Sequence, residues 1–219
     1  MTKRKSRQKW VKSLLTLGLM ALGRREEAAV TVSRSVPGLT SRDELALLYR
    51  TARDLKLPGN IAEVGSWKGR TAVTMGRAVH DKGAKRRIYC IDPHMAGEDD
   101  EPSTLETFRL SVSSRGVKDL VEEMVMTSAE AARIIGERGE KLAMVFIDGL
   151  HEEEAVRHDI RAFLPLVAAG GVIALHDCVP DGAFPGVWKA YQSELFGKVV
   201  EIARASSLVV TLVRNPAES

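Results

Sequence analysis

The sequence predicts a doubly wound α/β domain, a mostly parallel sheet of seven strands preceded by a helical extension, and three observations carry that expectation. From residue 60 onward, short apolar runs alternate with longer segments of helical period, the pattern of a parallel sheet covered on both faces. After residue 180 the order changes to one helix and two adjacent β-rich runs, which add a terminal strand pair to five strand–helix units. A chain of 219 residues that is 44% hydrophobic and 28% charged can also bury one substantial core.

The strands are expected at Asn60 to Val64, Arg87 to Ile91, Glu122 to Met126, Leu142 to Ile147 and Gly171 to Leu175, followed by Val199 to Ala203 and Leu208 to Val213. Helical periodicity fills 69–80, 102–115, 128–138 and 152–166, and returns around Trp188 to Phe196. The chain divides into an N-terminal helical extension, 1–57, and the main domain, 58–219. Within the extension, Ser41 is placed to cap a helix over Asp43 to Leu55, and Pro58-Gly59 stops it.

Of the 32 basic residues, Lys3, Arg4, Lys5, Arg7, Lys9 and Lys12 crowd the first twelve positions, which leaves the rest of the chain slightly acidic. That balance does not indicate a nucleic-acid-binding body. Over 10–23 the apolar residues Trp10, Leu14, Leu17 and Ala21 share one helical face, with Lys9, Lys12, Ser13 and Thr16 opposite. The stretch is too short and too interrupted for a bilayer span. Three readings stay open: a helix docked on the domain or on a second copy in a homo-oligomer, a peripheral membrane-surface helix, or a secretory signal. Two cysteines, Cys90 and Cys178, form neither a disulfide framework nor a zinc spacing, and a reducing cytoplasmic setting fits them.

The chemistry concentrates at the carboxyl ends of the expected strands. Glu63-Val64-Gly65-Ser66-Trp67-Lys68-Gly69-Arg70-Thr71 follows the first strand and opens a helix. Gly65 and Gly69 permit a tight turn and close approach by a ligand, and the helix start offers free N–H groups. The spacing is not the three-glycine dinucleotide fingerprint, and Glu63 would repel a diphosphate while suiting a cationic ligand. After the second strand, Asp92 stands where open α/β folds place an acid on ribose hydroxyls, and Pro93 stiffens its turn. After the third strand, the backbone at Ser128 and Ala129 and the Ser128 hydroxyl can reach an adenine edge, and Ser128 can equally cap the next helix.

Taken together, E-x-G-x-x-x-G after strand one, an acid after strand two and Ile147-Asp148-Gly149-Leu150-His151 after strand four resemble the class I S-adenosylmethionine-dependent methyltransferases. Within them, the chain is most similar to the small O-methyltransferases that act on catechols and macrolide sugars. The resemblance spans roughly residues 58–214 and implies a Rossmann-like fold with an antiparallel last strand. It implies S-adenosylmethionine as cofactor, held by Glu63, Gly65, Ser66, Trp67, Gly69, Thr71, Asp92, Ser128, Ala129 and Asp148. It further implies a divalent metal, magnesium or manganese, at Asp148 and at the pair His176-Asp177, with His151 as catalytic base beside Asp148. His176 departs from the family's oxygen ligand at its position, and magnesium prefers an all-oxygen shell. The acceptor would be a small molecule with a hydroxyl. A sulfonium already activates its methyl group, but an aliphatic or sugar hydroxyl needs its proton drawn away.

Competing structural roles remain for several residues at this point. His151 can cap the helix that follows it, and His176 can bond a neighbouring loop. His158 and Asp159 are expected to face solvent, His94 either cofactor or solvent, and Cys178 is expected to be inert. The stretch Met95 to Ser103, with residues 24–57, is expected to shape the acceptor pocket.

Overall fold

A computed structural model of the chain describes residues 24–95 and 104–215, so the amphipathic stretch 10–23 and the acidic stretch 96–103 lie outside the described residues. Two helices, α1 (Arg25–Ser33) and α2 (Arg42–Arg53), precede the first strand, β1 (Asn60–Val64). There follow α3 (Arg70–Lys82), β2 (Ile88–Ile91), α4 (Leu105–Ser114), β3 (Val121–Met124), α5 (Ser128–Glu137), β4 (Leu142–Ile147) and α6 (Glu153–Phe163). The chain then forms β5 (Val167–Leu175), α7 (Pro185–Leu195), β6 (Val199–Ala205) and β7 (Leu208–Val213). Among the described residues, no helix is long and apolar enough to cross a membrane.

The seven strands form one sheet in the order β3-β2-β1-β4-β5-β7-β6. Strands β1 to β5 run parallel, and β7 is antiparallel to both β5 and β6. Strand order reverses between β1 and β4, the switch point at whose carboxyl ends open α/β sheets bind ligands.

Alternation along the strands sends successive side chains to opposite faces, so each face carries its own core. Ile61, Met144 and Phe146 pack with α2, α3 and α4, while Ala62, Val64, Val145 and Ile147 pack with α5, α6 and α7. Ser41 caps α2 as expected, in a capping box with Glu44. The cap of α5 falls one residue earlier than expected: Thr127 accepts from Glu130 N–H, and Ser128 is the first helical residue. Strand β5 starts at Val167 rather than Gly171, and the expected helix over 152–166 ends at Phe163 in a short 3₁₀ turn.

Candidate active site

The turn after β1 is fixed by backbone bonds to both neighbouring strands. Gly65 N–H donates to the Ile91 carbonyl at 2.9 Å, and Asp148 N–H donates to the Val64 carbonyl at 2.9 Å. Gly65 has φ +88°, and a Cβ there would meet the Asp148 carbonyl oxygen at 2.1 Å. Only glycine fits. Replacing Gly65 by Ala is expected to cost about 1–3 kcal/mol of stability and to abolish cofactor binding. A melting curve and a titration of the variant with the demethylated cofactor check this. Gly69, also at φ +88°, starts α3 and closes the turn on the Ser66 carbonyl at 2.8 Å.

Glu63 does not reach the cavity above this turn. It is fully buried on the α3 side of β1, where burial pushes its carboxyl up to about 7 against the opposing influence of nearby Thr71 and Cys90. Neither of its oxygens is aligned into a hydrogen bond.

Asp92, at the end of β2, is aimed by backbone donors. Its Oδ2 accepts from Trp67 N–H at 2.8 Å and its Oδ1 from His94 N–H at 2.7 Å. His94 turns inward, buried with Nδ1 2.8 Å from the Thr104 hydroxyl. Trp67, His94 and Asp177 all have positive φ (41°, 50° and 54°), a conformation uncommon for residues with a side chain. Such residues collect where surrounding structure holds a functional site.

At the end of β3, Ser128 faces the cavity beside Asp159, whereas Ala129 is exposed outside it. Asp159 is buried, in contrast to the solvent position expected from sequence, because this face of α6 turns towards Ser128 and Gly149. Burial raises its carboxyl pKa, and Ser128 opposes that. His158, beside it on α6, is exposed.

The strongest electrostatic feature lies where β4 and β5 end. His176 is buried, with Nδ1 3.1 Å from Asp148 Oδ1 and 3.1 Å from Asp177 Oδ2, and Nε2 3.3 Å from Glu44 Oε2. The ring N–H directions do not line up as hydrogen bonds, so charge holds this cluster together. Burial works against a charged ring, but the three carboxylates outweigh it and push His176 up to about 12. Glu44 comes from α2, and its Oε1 also accepts from the backbone N–H and hydroxyl of Ser207. His151 Nε2 lies 3.1 Å from Asp177 Oδ2, and its ring stacks on Phe184 at 4.1 Å between centroids. Asp177 raises the His151 pKa, against burial. His151 does not cap α6, whose N-cap is Glu152 with no side-chain cap bond.

A divalent ion was expected on Asp148, His176 and Asp177. The three are together, but both nitrogens of His176 face carboxylates, so the ring has no lone pair to give a metal. Among the described residues, the side chains whose ligand atoms fall within 4.8 Å of one another are Asp148, His151 and Asp177. Their facing oxygens already meet a buried cationic ring, and magnesium asks for six oxygens in near-octahedral array. The neighbouring His176 ring disfavours magnesium, while Asp148, His151 and Asp177 keep a ligand set suited to an ion that accepts nitrogen, such as manganese.

One cavity of about 770 Å³ gathers these groups, a volume ordinary for a cofactor site. Gly65, Ser66, Trp67, Gly69, Thr71, Asp92, Ser128, Asp148, His151, His176 and Asp177 all border it. The Gly38 to Thr40 wall falls within the stretch 24–57 expected to shape the pocket, and Arg70 secures it by donating to the Val36 and Thr40 carbonyls at 2.8–2.9 Å; Phe184 had no sign in the sequence. Met95 borders the cavity as well.

Solved structures share this architecture. The O-methyltransferase TomG from Streptomyces achromogenes, described as involved in tomaymycin synthesis, matches with TM-score 0.64 at 21% identity, over 87% of this chain and 90% of that one. The O-methyltransferase NovP matches with TM-score 0.64 at 17% identity, over 80% and 81%. A putative caffeoyl-CoA O-methyltransferase from Staphylococcus aureus matches with TM-score 0.65 at 14% identity, over 92% and 100%. At these identities the likeness concerns the fold. A family model described as a methyltransferase domain matches residues 62–178, more than half of the chain and the whole segment from β1 through the β5 edge. The chain therefore belongs to the methyltransferase-domain family and is a class I S-adenosylmethionine-dependent methyltransferase.

Proposed function

We propose that the protein moves the methyl group of S-adenosylmethionine to a hydroxyl of a small molecule, with His151 as the base. One observation carries this reading: the His151–Asp177 pair borders the same cavity as the Gly65–Gly69 turn and Asp92. The turn and the start of α3 cradle the amino-acid part of the cofactor, Asp92 accepts from the ribose hydroxyls, and Ser128 with Asp159 meets the adenine edge. Asp148, balanced by His176, helps to align the hydroxyl.

In the transfer, the hydroxyl oxygen forms a bond to the methyl carbon as the carbon–sulfur bond breaks. Sulfur keeps that electron pair and leaves as a neutral thioether. The hydroxyl proton passes to Nδ1 of His151, the nitrogen that does not face Asp177. Holding oxygen, carbon and sulfur in line supplies most of the remaining rate. The scheme runs on these side chains alone, with one oxygen each of Asp148 and Asp177 facing the His176 ring.

Calorimetric titration with S-adenosylmethionine and with NAD, side by side, tests the cofactor assignment. S-adenosylmethionine is expected to bind and NAD to give no saturable heat. Asp92→Ala should weaken S-adenosylmethionine by about 1–3 kcal/mol, since a pair of hydroxyls loses its charged acceptor. Unchanged affinity in that variant would remove Asp92 from the site.

A further inference from the structure

Half of the large apolar side chains that stand exposed among the described residues border this one cavity. Leu39, Trp67, Met95, Leu150 and Phe184 do so, with exposures from 40% at Trp67 and Phe184 to 88% at Leu39. They come from five separate segments, so no single loop accounts for the gathering. Large apolar groups left in water around a pocket mouth mark a surface that something apolar covers.

The charges on the same wall point the same way. Beyond the part given above to the cofactor, the carboxylates of Asp148 and Asp177 border the cavity. The cations that could answer a phosphate are engaged elsewhere. Arg70 donates to two backbone carbonyls, Lys68 Nζ stands 4.3 Å over the Trp67 ring, and His176 sits among three carboxylates. His158 lies on α6 beside Asp159, at the part of the cavity given above to adenine. A diphosphate entering here would meet like charge without a bidentate partner.

We propose that the acceptor carries its hydroxyl on an uncharged, largely apolar ring system, a phenol or a fused-ring alcohol, and not on a phosphate-bearing carrier such as a sugar nucleotide. The proposal rests on the methyl-transfer reading and gives its acceptor a class. The balance is the one already written: an O–H becomes an O–CH₃ ether, the sulfonium becomes a thioether, and the proton goes to His151.

The test uses the full chain saturated with S-adenosylhomocysteine and two probes, 2-naphthol and thymidine diphosphate glucose, followed by calorimetry. 2-Naphthol is expected to bind, and Leu39→Asp and Phe184→Ser should each weaken it by about tenfold or more, because both side chains offer apolar area to the ring. Both residues are partly or largely exposed, so the fold should persist, and S-adenosylhomocysteine affinity should stay unchanged in each variant. Thymidine diphosphate glucose should show no saturable binding. Absence of 2-naphthol binding, equal binding in both variants, or tighter binding of the sugar nucleotide would each overturn the proposal. Failure of S-adenosylhomocysteine itself to bind would instead overturn the methyl-transfer reading.

Discussion

His151→Ala is expected to lower turnover by roughly 10²–10⁴, the usual worth of a positioned general base, while cofactor affinity stays unchanged. The wild-type pH profile carries the same signature. Asp177 raises the pKa of His151, so the ring gains its proton, and the activity is lost, as pH falls through a value above the ordinary 6.5. The acid limb of kcat/KM should therefore lie above 6.5 and move down in Asp177→Asn, where the charge that holds the imidazolium is gone. Initial rates of S-adenosylhomocysteine release across pH 5 to 9 read both effects once an acceptor is in hand. A chelator is expected to leave wild-type rates unchanged, since the buried His176 cation already meets the oxygens a metal would need. Full turnover by His151→Ala would pass the base to another group, and loss of turnover on chelation would restore the ion.

Glu44→Ala should destabilise the fold by about 3 kcal/mol, because it removes one of the three carboxylates that balance buried His176 together with a helix cap and a hydrogen-bond acceptor. The cap is the reciprocal one on α2, and the acceptor serves Ser207. For a chain of this length, that loss corresponds to a fall in Tm of roughly 6–12 °C. Glu44→Gln keeps the shape of the side chain, so comparing the two variants separates charge from packing. The pH dependence has a definite sign. Burial would raise the Glu44 pKa, but the His176 ring beside it, with bonds from Ser41 and Ser207, holds it well below its usual 4.5, so its stabilisation is present above 4.5 and fades as pH falls further. His176, raised to about 12, contributes fully below 6.5 and loses its contribution as pH climbs through 12. Melting curves between pH 3 and 5 should thus drop more steeply in wild type than in Glu44→Ala. Parallel curves would show that Glu44 acts through packing alone.

The strand-end motifs were legible because their spacing is local. Glycines at 65 and 69, the acid at 92 and the run from Asp148 to His151 each follow an apolar strand by a residue or two, and parallel pairing then brings those ends to one edge. Periodicity placed all seven strands, with ends that drift by a few residues where turns carry the boundary, as at Val167. What the sequence hid depends on long-range packing. Nothing local to Glu44 says that it meets His176, since its capping box explains it completely. Asp159 reads as a surface residue until α6 is rotated against α5, and only the fold decides that rotation. His176 shows the same limit: a ligand and a caged cation look identical in sequence, and its three carboxylate neighbours come from distant segments.

The bond between Glu44 and Ser207 spans 163 positions, nearly the full described length. During synthesis, the second helix and the parallel strands can emerge and pack while the β6–β7 turn is still inside the ribosome. Until that turn arrives, Glu44 lacks the Ser207 donors and the cap has only local partners. Contacts so distant in sequence close late, after local structure has formed. A nascent chain should therefore hold a fold-shaped intermediate whose catalytic edge is still loose, and the β6–β7 turn, remote from any motif, would set the moment at which the enzyme becomes competent.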